Sequence, residues 1–133
     1  MAAIKRDSAD RYFSEVVRKK AGKCEHCQKE GRLEAAHIFT RSRKSIRWSL
    51  LNCIALCHYC HRMFTGEPVK FTRWLENELL GPVALEILQE RSNELVKTNA
   101  AYRKEVAAHY RAELKKMEEA EKEGANYDPI SWN

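Results

Sequence analysis

Two cysteine pairs, Cys24-x-x-Cys27 and Cys57-x-x-Cys60, carry the plainest chemistry in this 133-residue chain. A CxxC turn aims both sulfurs at one point, and two such turns complete a tetrahedral S4 site for an ion such as zinc. Four thiolates leave no open position, so such an ion is structural and supplies folding energy to the segment around it. Chance pairing is the alternative, and two matched spacings disfavour it. The stretch from Gln28 to Leu56 is longer than the loop of a simple zinc ribbon, so a further element is inserted between the pairs.

The histidines divide by position. His26 and His58 sit inside the CxxC turns, where four sulfurs already suffice, and are expected to lie exposed or beside the cage as bystanders. His109, next to Tyr110, reads as a surface or helix-packing residue, and the fifth cysteine, Cys53, as a buried small residue of an apolar strand. His37 and His61 differ. His61 follows Cys60 directly, and one step along a helix turns a side chain by about 100°. It therefore points away from the S4 ion. Asn52, His37 and His61 can then face one another across a strand–strand–helix unit. That arrangement suits one-metal phosphodiester hydrolysis, in which a neutral imidazole takes a proton from water and a divalent ion stabilises the phosphate and its leaving oxygen. A satisfied strand histidine at 37 and a helix-capping one at 61 stand as the alternative.

The elements that must position these groups follow from caps and periodicity. Asp7 or Ser8 caps a helix running to about Lys20, with Tyr12, Phe13, Val16 and Val17 on one face and Gly22 as its stop. Leu33 to Ile38 is a short strand and Leu51 to Leu56 a second, separated by the basic loop "TRSRKSIRW". "HYCHRMF" opens a short helix that ends at Gly66. Pro68 starts another, with Phe71, Trp74, Leu75 and Leu79 on its face. Gly81-Pro82 breaks and restarts the helix, and Val83, Ala84, Ile87, Leu88 and Leu95 continue the stripe. Asn99 caps a long final helix reaching about Glu123, with Tyr102, Val106, Tyr110, Leu114 and Met117 on one face. That stripe either packs within the chain or pairs two subunits as a homodimer. The last residues, 125–133, show turn chemistry and little periodicity.

Composition narrows the class. Five cysteines are an odd number for a closed disulfide framework, and the charged start "MAAIKRDSADRYF" lacks a signal-peptide apolar run. No stretch nears the roughly 20 apolar residues of a membrane span. An intracellular chain with reduced thiols and no membrane partner is expected. Up to Leu75 there are 16 Lys and Arg against 7 Asp and Glu; beyond it there are 8 against 12. A basic first half suits a polyanion such as nucleic acid, and an unevenly charged solvated surface is the plainer reading.

With those residues in place, "AAHI" followed by "LLNCIALCHYCHR" resembles the HNH (His-Me finger, ββα-metal) nucleases. "RW" at Arg47-Trp48, then "GEPVKFTRWLENELLGPVALEILQERSN" and "YRAELKK", is similar to the phage NinG (Rap) recombination nucleases. The resemblance implies an α+β fold. Its ββα-metal core over 24–66 is stapled by Cys24, Cys27, Cys57 and Cys60 around Zn2+. An N-terminal helix lies within 1–23, about three helices within 67–124, and a tail over 125–133. It implies a metal-dependent DNA endonuclease leaving 5′-phosphate and 3′-hydroxyl ends, acting on branched recombination intermediates such as D-loops and Holliday junctions. His37 would be the general base, His61 would hold a catalytic Mg2+ or Mn2+, and Asn52 would fix the loop. Where many members carry Asp or His before the base, this chain has Ala36, and Glu34 is the candidate for the missing carboxylate. Arg41, Arg43, Lys44 and Arg47 would contact DNA, with Arg47 as the phosphate clamp. A phage origin would place the protein in the cytoplasm of a bacterial host. The competing reading is a non-catalytic, zinc-stabilised nucleic-acid-binding module.

Overall fold

The computed structural model describes residues 5–133. Residues 1–4 of the expected N-terminal unit lie outside the described residues. The chain is α+β, with five α-helices and one two-stranded antiparallel sheet among the described residues. Helix α1 spans Ser8–Ala21. Asp7 accepts from the Asp10 N–H and the Asp10 carboxylate accepts from the Asp7 N–H, a reciprocal box that satisfies two orphan donors. Gly22 ends the helix at φ 73°, a left-handed conformation that suits glycine. The α1 face of Ala9, Phe13, Val16 and Val17 is buried.

Strand β1, Leu33–His37, pairs with β2, Cys53–Cys57, in a register that sets Leu33 opposite Cys57, Ala35 opposite Ala55 and His37 opposite Cys53. The expected second strand began at Leu51. Instead Leu50–Asn52 forms a 3-10 turn, because the Asn52 side chain is committed to the preceding loop and Leu51 faces outward. Helix α2, His58–Gly66, starts on the residue after β2. Helix α3, Pro68–Trp74, runs into a wide π turn over Leu75–Leu79 that buries Leu75. Helix α4 spans Pro82–Ser92 and α5 spans Ala100–Lys122, capped by Asn99 accepting from Tyr102 N–H at 2.9 Å.

The α4 stripe is a correction. Only Leu88 of it is buried; Val83 and Ile87 face solvent, and Leu95 lies past the helix end, wholly exposed. The α5 stripe holds: Val106, Tyr110, Leu114 and Met117 are buried in the same core as α1. That face packs within the chain. The tail is the larger surprise. It has no regular structure, yet Tyr127 Oη and the Ile130 N–H both donate to the buried Glu113 carboxylate. Trp132 donates to the Tyr102 and Tyr110 hydroxyls, and Asn133 donates to the Ser45 carbonyl.

The most connected polar group in the core is Asp10. Its carboxylate accepts from Arg47 Nε at 3.0 Å, from Arg47 Nη2 at 2.5 Å and from the Trp48 indole at 3.0 Å. Burial raises the Asp10 pKa, and the Arg47 hydrogen bonds, the Asp7 N–H and the guanidinium charge outweigh it, so the group stays below its ordinary range. Removing one partner of such a pair strands the other charge. Asp10→Asn and Arg47→Ala are each expected to lower unfolding free energy by about 3–5 kcal/mol, read from urea midpoints at constant m. A loss below about 1 kcal/mol for both would show that the pair is not structural.

Candidate functional site

The four sulfurs of Cys24, Cys27, Cys57 and Cys60 lie within 4.8 Å of one another, and Cys27 Sγ is 3.8 Å from Cys57 Sγ. Four ligands about 2.3 Å from a tetrahedral ion are spaced by about 3.8 Å, so the cluster fits zinc. Burial raises the Cys24 thiol, but the Cys27, Cys57 and His26 N–H groups pull it down to about 7. His26 is not free in solvent. Its Nδ1 is 3.3 Å from Cys60 Sγ, and its ring lies edge-on to Phe64 and Trp74. Cys53 is buried outside the cluster, as expected of a core thiol. His109 packs on Tyr110 and Trp132 and reaches the Ile130 carbonyl, so it anchors the tail.

His37 ends β1 with its ring 5.8 Å from Phe13. Its Nε2 is 2.9 Å from the Arg47 carbonyl. A carbonyl only accepts, so Nε2 carries the proton and the neutral ring keeps its lone pair on Nδ1. Among the described residues, Nδ1 has no hydrogen-bond partner. Burial lowers the His37 pKa first; the Arg47 carbonyl bond raises it, the Arg41 charge lowers it, Asp10 raises it and the Arg47 charge lowers it, for a net decrease. The ring is therefore neutral at neutral pH.

Asn52 is wholly buried and holds the loop between the strands at both ends. Its Nδ2 donates to the Phe39 and Ile46 carbonyls, and its Oδ1 accepts from the Phe39 N–H. It touches the loop that carries the Arg47 carbonyl, so its place is to position His37. His61 is on α2, and among the described residues it makes no hydrogen bond to His37 or Asn52, so the expected facing of the three is not seen in their contacts. Its Nδ1 is 2.8 Å from Glu34 Oε1, while the other carboxylate oxygen is 2.9 Å from His58 Nδ1. Hydrogen bonds from His58 and then His61 hold the Glu34 carboxyl below its usual range. His58 is therefore no bystander. Ala36 is buried opposite Ile54, so a charged ligand there would sit in the core.

A scan against protein-family models gives no match for this chain, and searches of curated proteins and of solved structures give none either.

The basic loop divides. The expectation that Arg47 clamps phosphate is corrected. Its guanidinium is buried on Asp10, the Lys5 carbonyl and the Trp48 ring, with Nε and Nη2 engaged and the side chain withdrawn from the surface. Arg43 reaches Asn93 Oδ1, and Lys44 is exposed. Arg41 is different: one Nη1 is shielded from solvent, 4.0 Å from Asp10 Oδ2, and makes no hydrogen bond among the described residues. Three further arginines were not anticipated. Arg6, Arg18 and Arg32 line one recess with Ser14, Glu34 and His61. Of these only Arg32 had a sequence signal, two positions before Glu34 and so on its side of a strand.

Purified protein is expected to carry about one zinc per chain by elemental analysis. Cys57→Ser should lose the metal and the folded signal of β1, β2 and α2 together. A variant that keeps that fold without metal would remove the structural role.

Proposed function

We propose that the chain is a divalent-metal-dependent DNA endonuclease of the HNH, ββα-metal type, with a structural Zn2+ in the four-cysteine cage. The observation that carries this reading is one recess. It joins the Glu34–His61 carboxylate–imidazole pair to Arg6, Arg18 and Arg32. Further along the same strand is a neutral imidazole whose Nδ1 has no hydrogen-bond partner among the described residues. Phosphodiester cleavage uses these kinds of group, cations for the oxygens, a base for the attacking water and a site for a cation, although His37 is not among the residues lining the recess.

His37 Nδ1 accepts the proton of the attacking water, and the Arg47 carbonyl holds the ring in the tautomer that can do so. Glu34 and His61 would hold the ion, of the Mg2+ or Mn2+ kind, whose chemistry is to neutralise charge developing on the phosphate and the leaving oxygen. Asn52 keeps the loop, and hence the Arg47 carbonyl, in place. Arg41, whose charge is felt at His37 and whose side chain is 27% exposed, would make the phosphate contact that Arg47 cannot, through the part of its guanidinium that reaches solvent. Preference for branched DNA rests on the resemblance of Gly66 to Asn93 to the phage recombination nucleases. Ala36 favours a second reading, a nucleic-acid-binding module without catalysis.

Cleavage of supercoiled, linear and four-way-junction DNA with Mg2+, Mn2+ or EDTA separates the two. The wild type should cut in a metal-dependent way, and His37→Ala should cut about 10²–10⁴-fold more slowly. Binding without cutting under every ion would leave only the binding module. The pH profile adds a check on the base. Protonated His37 cannot accept a proton, and its pKa lies below the ordinary 6.5. The acid limb of kcat/KM should therefore have its midpoint below 6.5, with zinc content followed alongside. A midpoint at or above that value would take His37 out of the role.

A further inference from the structure

We infer that Glu34, His58 and His61 form a single divalent-metal site with two imidazole ligands, selective for a transition ion such as Mn2+ over Mg2+. Such a site deepens the nuclease reading by adding a third holder of the ion, and it rests on that reading only for the use the ion is put to.

Spacing brings the three groups to one place. His58 and His61 are three apart at the start of α2, so they share a helix face. Glu34 stands opposite Leu56 on β1, near the end of β2 from which α2 leaves. The hairpin thus carries a carboxylate to the face that presents both rings. Each ring offers the same atom, Nδ1, at 2.9 Å for His58 and 2.8 Å for His61, and each meets a different oxygen of the carboxylate. Ligands about 2.1 Å from an octahedral ion and at right angles to each other are about 3.0 Å apart. The two observed contacts have the length of two such edges, with the carboxylate bidentate between them. The two rings stand apart on either side of it: only the four sulfurs converge within 4.8 Å as a set of three or more ligand atoms among the described residues. An ion would replace two shared protons and pull the rings in by small side-chain rotations.

Exposure permits this. The side chains of Glu34, His61 and His58 are 34%, 35% and 69% exposed, so the rings can turn and the ion keeps open positions for water and a phosphate oxygen. Two imidazoles favour a borderline transition ion, whereas Mg2+ prefers an all-oxygen shell. The start of a helix is a poor place for a cation, since its N–H groups carry positive partial charge. A zinc ion held by the four thiolates would leave a net charge of −2 beside this turn and would offset that cost. Arg6, Arg18 and Arg32 line the same recess, so the ion and an anionic phosphate should bind it together.

The test uses zinc-loaded full-length protein and Mn2+ alone, since Mn2+ does not displace zinc from thiolates. Electron paramagnetic resonance titration should show one bound Mn2+ per chain, and pulsed measurements should show couplings to two imidazole nitrogens. His58→Gln should weaken binding about tenfold or more and leave one nitrogen. Glu34→Gln should also weaken it, with circular dichroism and zinc content unchanged in both variants. A wild-type signal with one nitrogen, or an affinity indifferent to either substitution, overturns the assignment, as does no binding at all. DNA cleavage that survives in His58→Gln alongside unaltered Mn2+ binding would sink the three-residue site and leave the nuclease reading standing. Two-nitrogen binding without any cleavage would do the reverse.

Discussion

One buried carboxylate sets the geometry on which the candidate base depends. Asp10 belongs to α1, yet it binds Arg47 and Trp48, which lie in the loop joining the two strands. It draws that loop onto the helix, and it does so with a partner whose own backbone carbonyl holds His37. The chain of contacts runs from a helix cap, through an ion pair, to a peptide oxygen, to the imidazole. Each link is short and shielded, so its energy is little screened by solvent. Arg47 therefore acts through its main chain toward His37 and through its side chain toward the core. The guanidinium serves the candidate site from within the core, without lining it.

Much of the architecture was readable because local chemistry agreed with the final structure. Asp7, Gly22, Pro68, Pro82 and Asn99 mark helix ends whatever the rest of the chain does, and the two CxxC turns announce their own convergence. What was not readable depends on partners far away in the chain. Nothing near Arg47 says that Asp10, 37 residues earlier, will claim it. The α4 stripe has helical spacing but little to pack against, since pattern signals capacity for burial and not its occurrence. The tail has no periodicity, because its contacts are hydrogen bonds to Glu113, Tyr110 and Tyr102 and not an apolar face.

The cage and the hairpin divide the labour at the start of α2. Cys57 caps that helix through its sulfur and Cys60 lies one turn on, so whatever holds the sulfurs also fixes the helix axis. His58 and His61 leave the same turn toward Glu34. Their i, i+3 spacing was visible in the sequence, but their convergence on one carboxylate was not, because it needs the strand register that sets Glu34 beside Leu56.

The docking of the tail bears on the order in which the protein matures during its synthesis. Ser45 and Leu50 flank Arg47, and they are held by Asn133 and Ser131, partners 88 and 81 positions later. The Trp48 carbonyl receives the Tyr110 hydroxyl, 62 positions on. Contacts this distant in the chain close last, since the loops they seal cost the most entropy. The cysteine turns and the hairpin can assemble while the chain is still emerging. The loop around His37 cannot settle until Ser131 and Asn133 have left the ribosome, so a nascent chain whose cysteine turns have already met still lacks a finished candidate site.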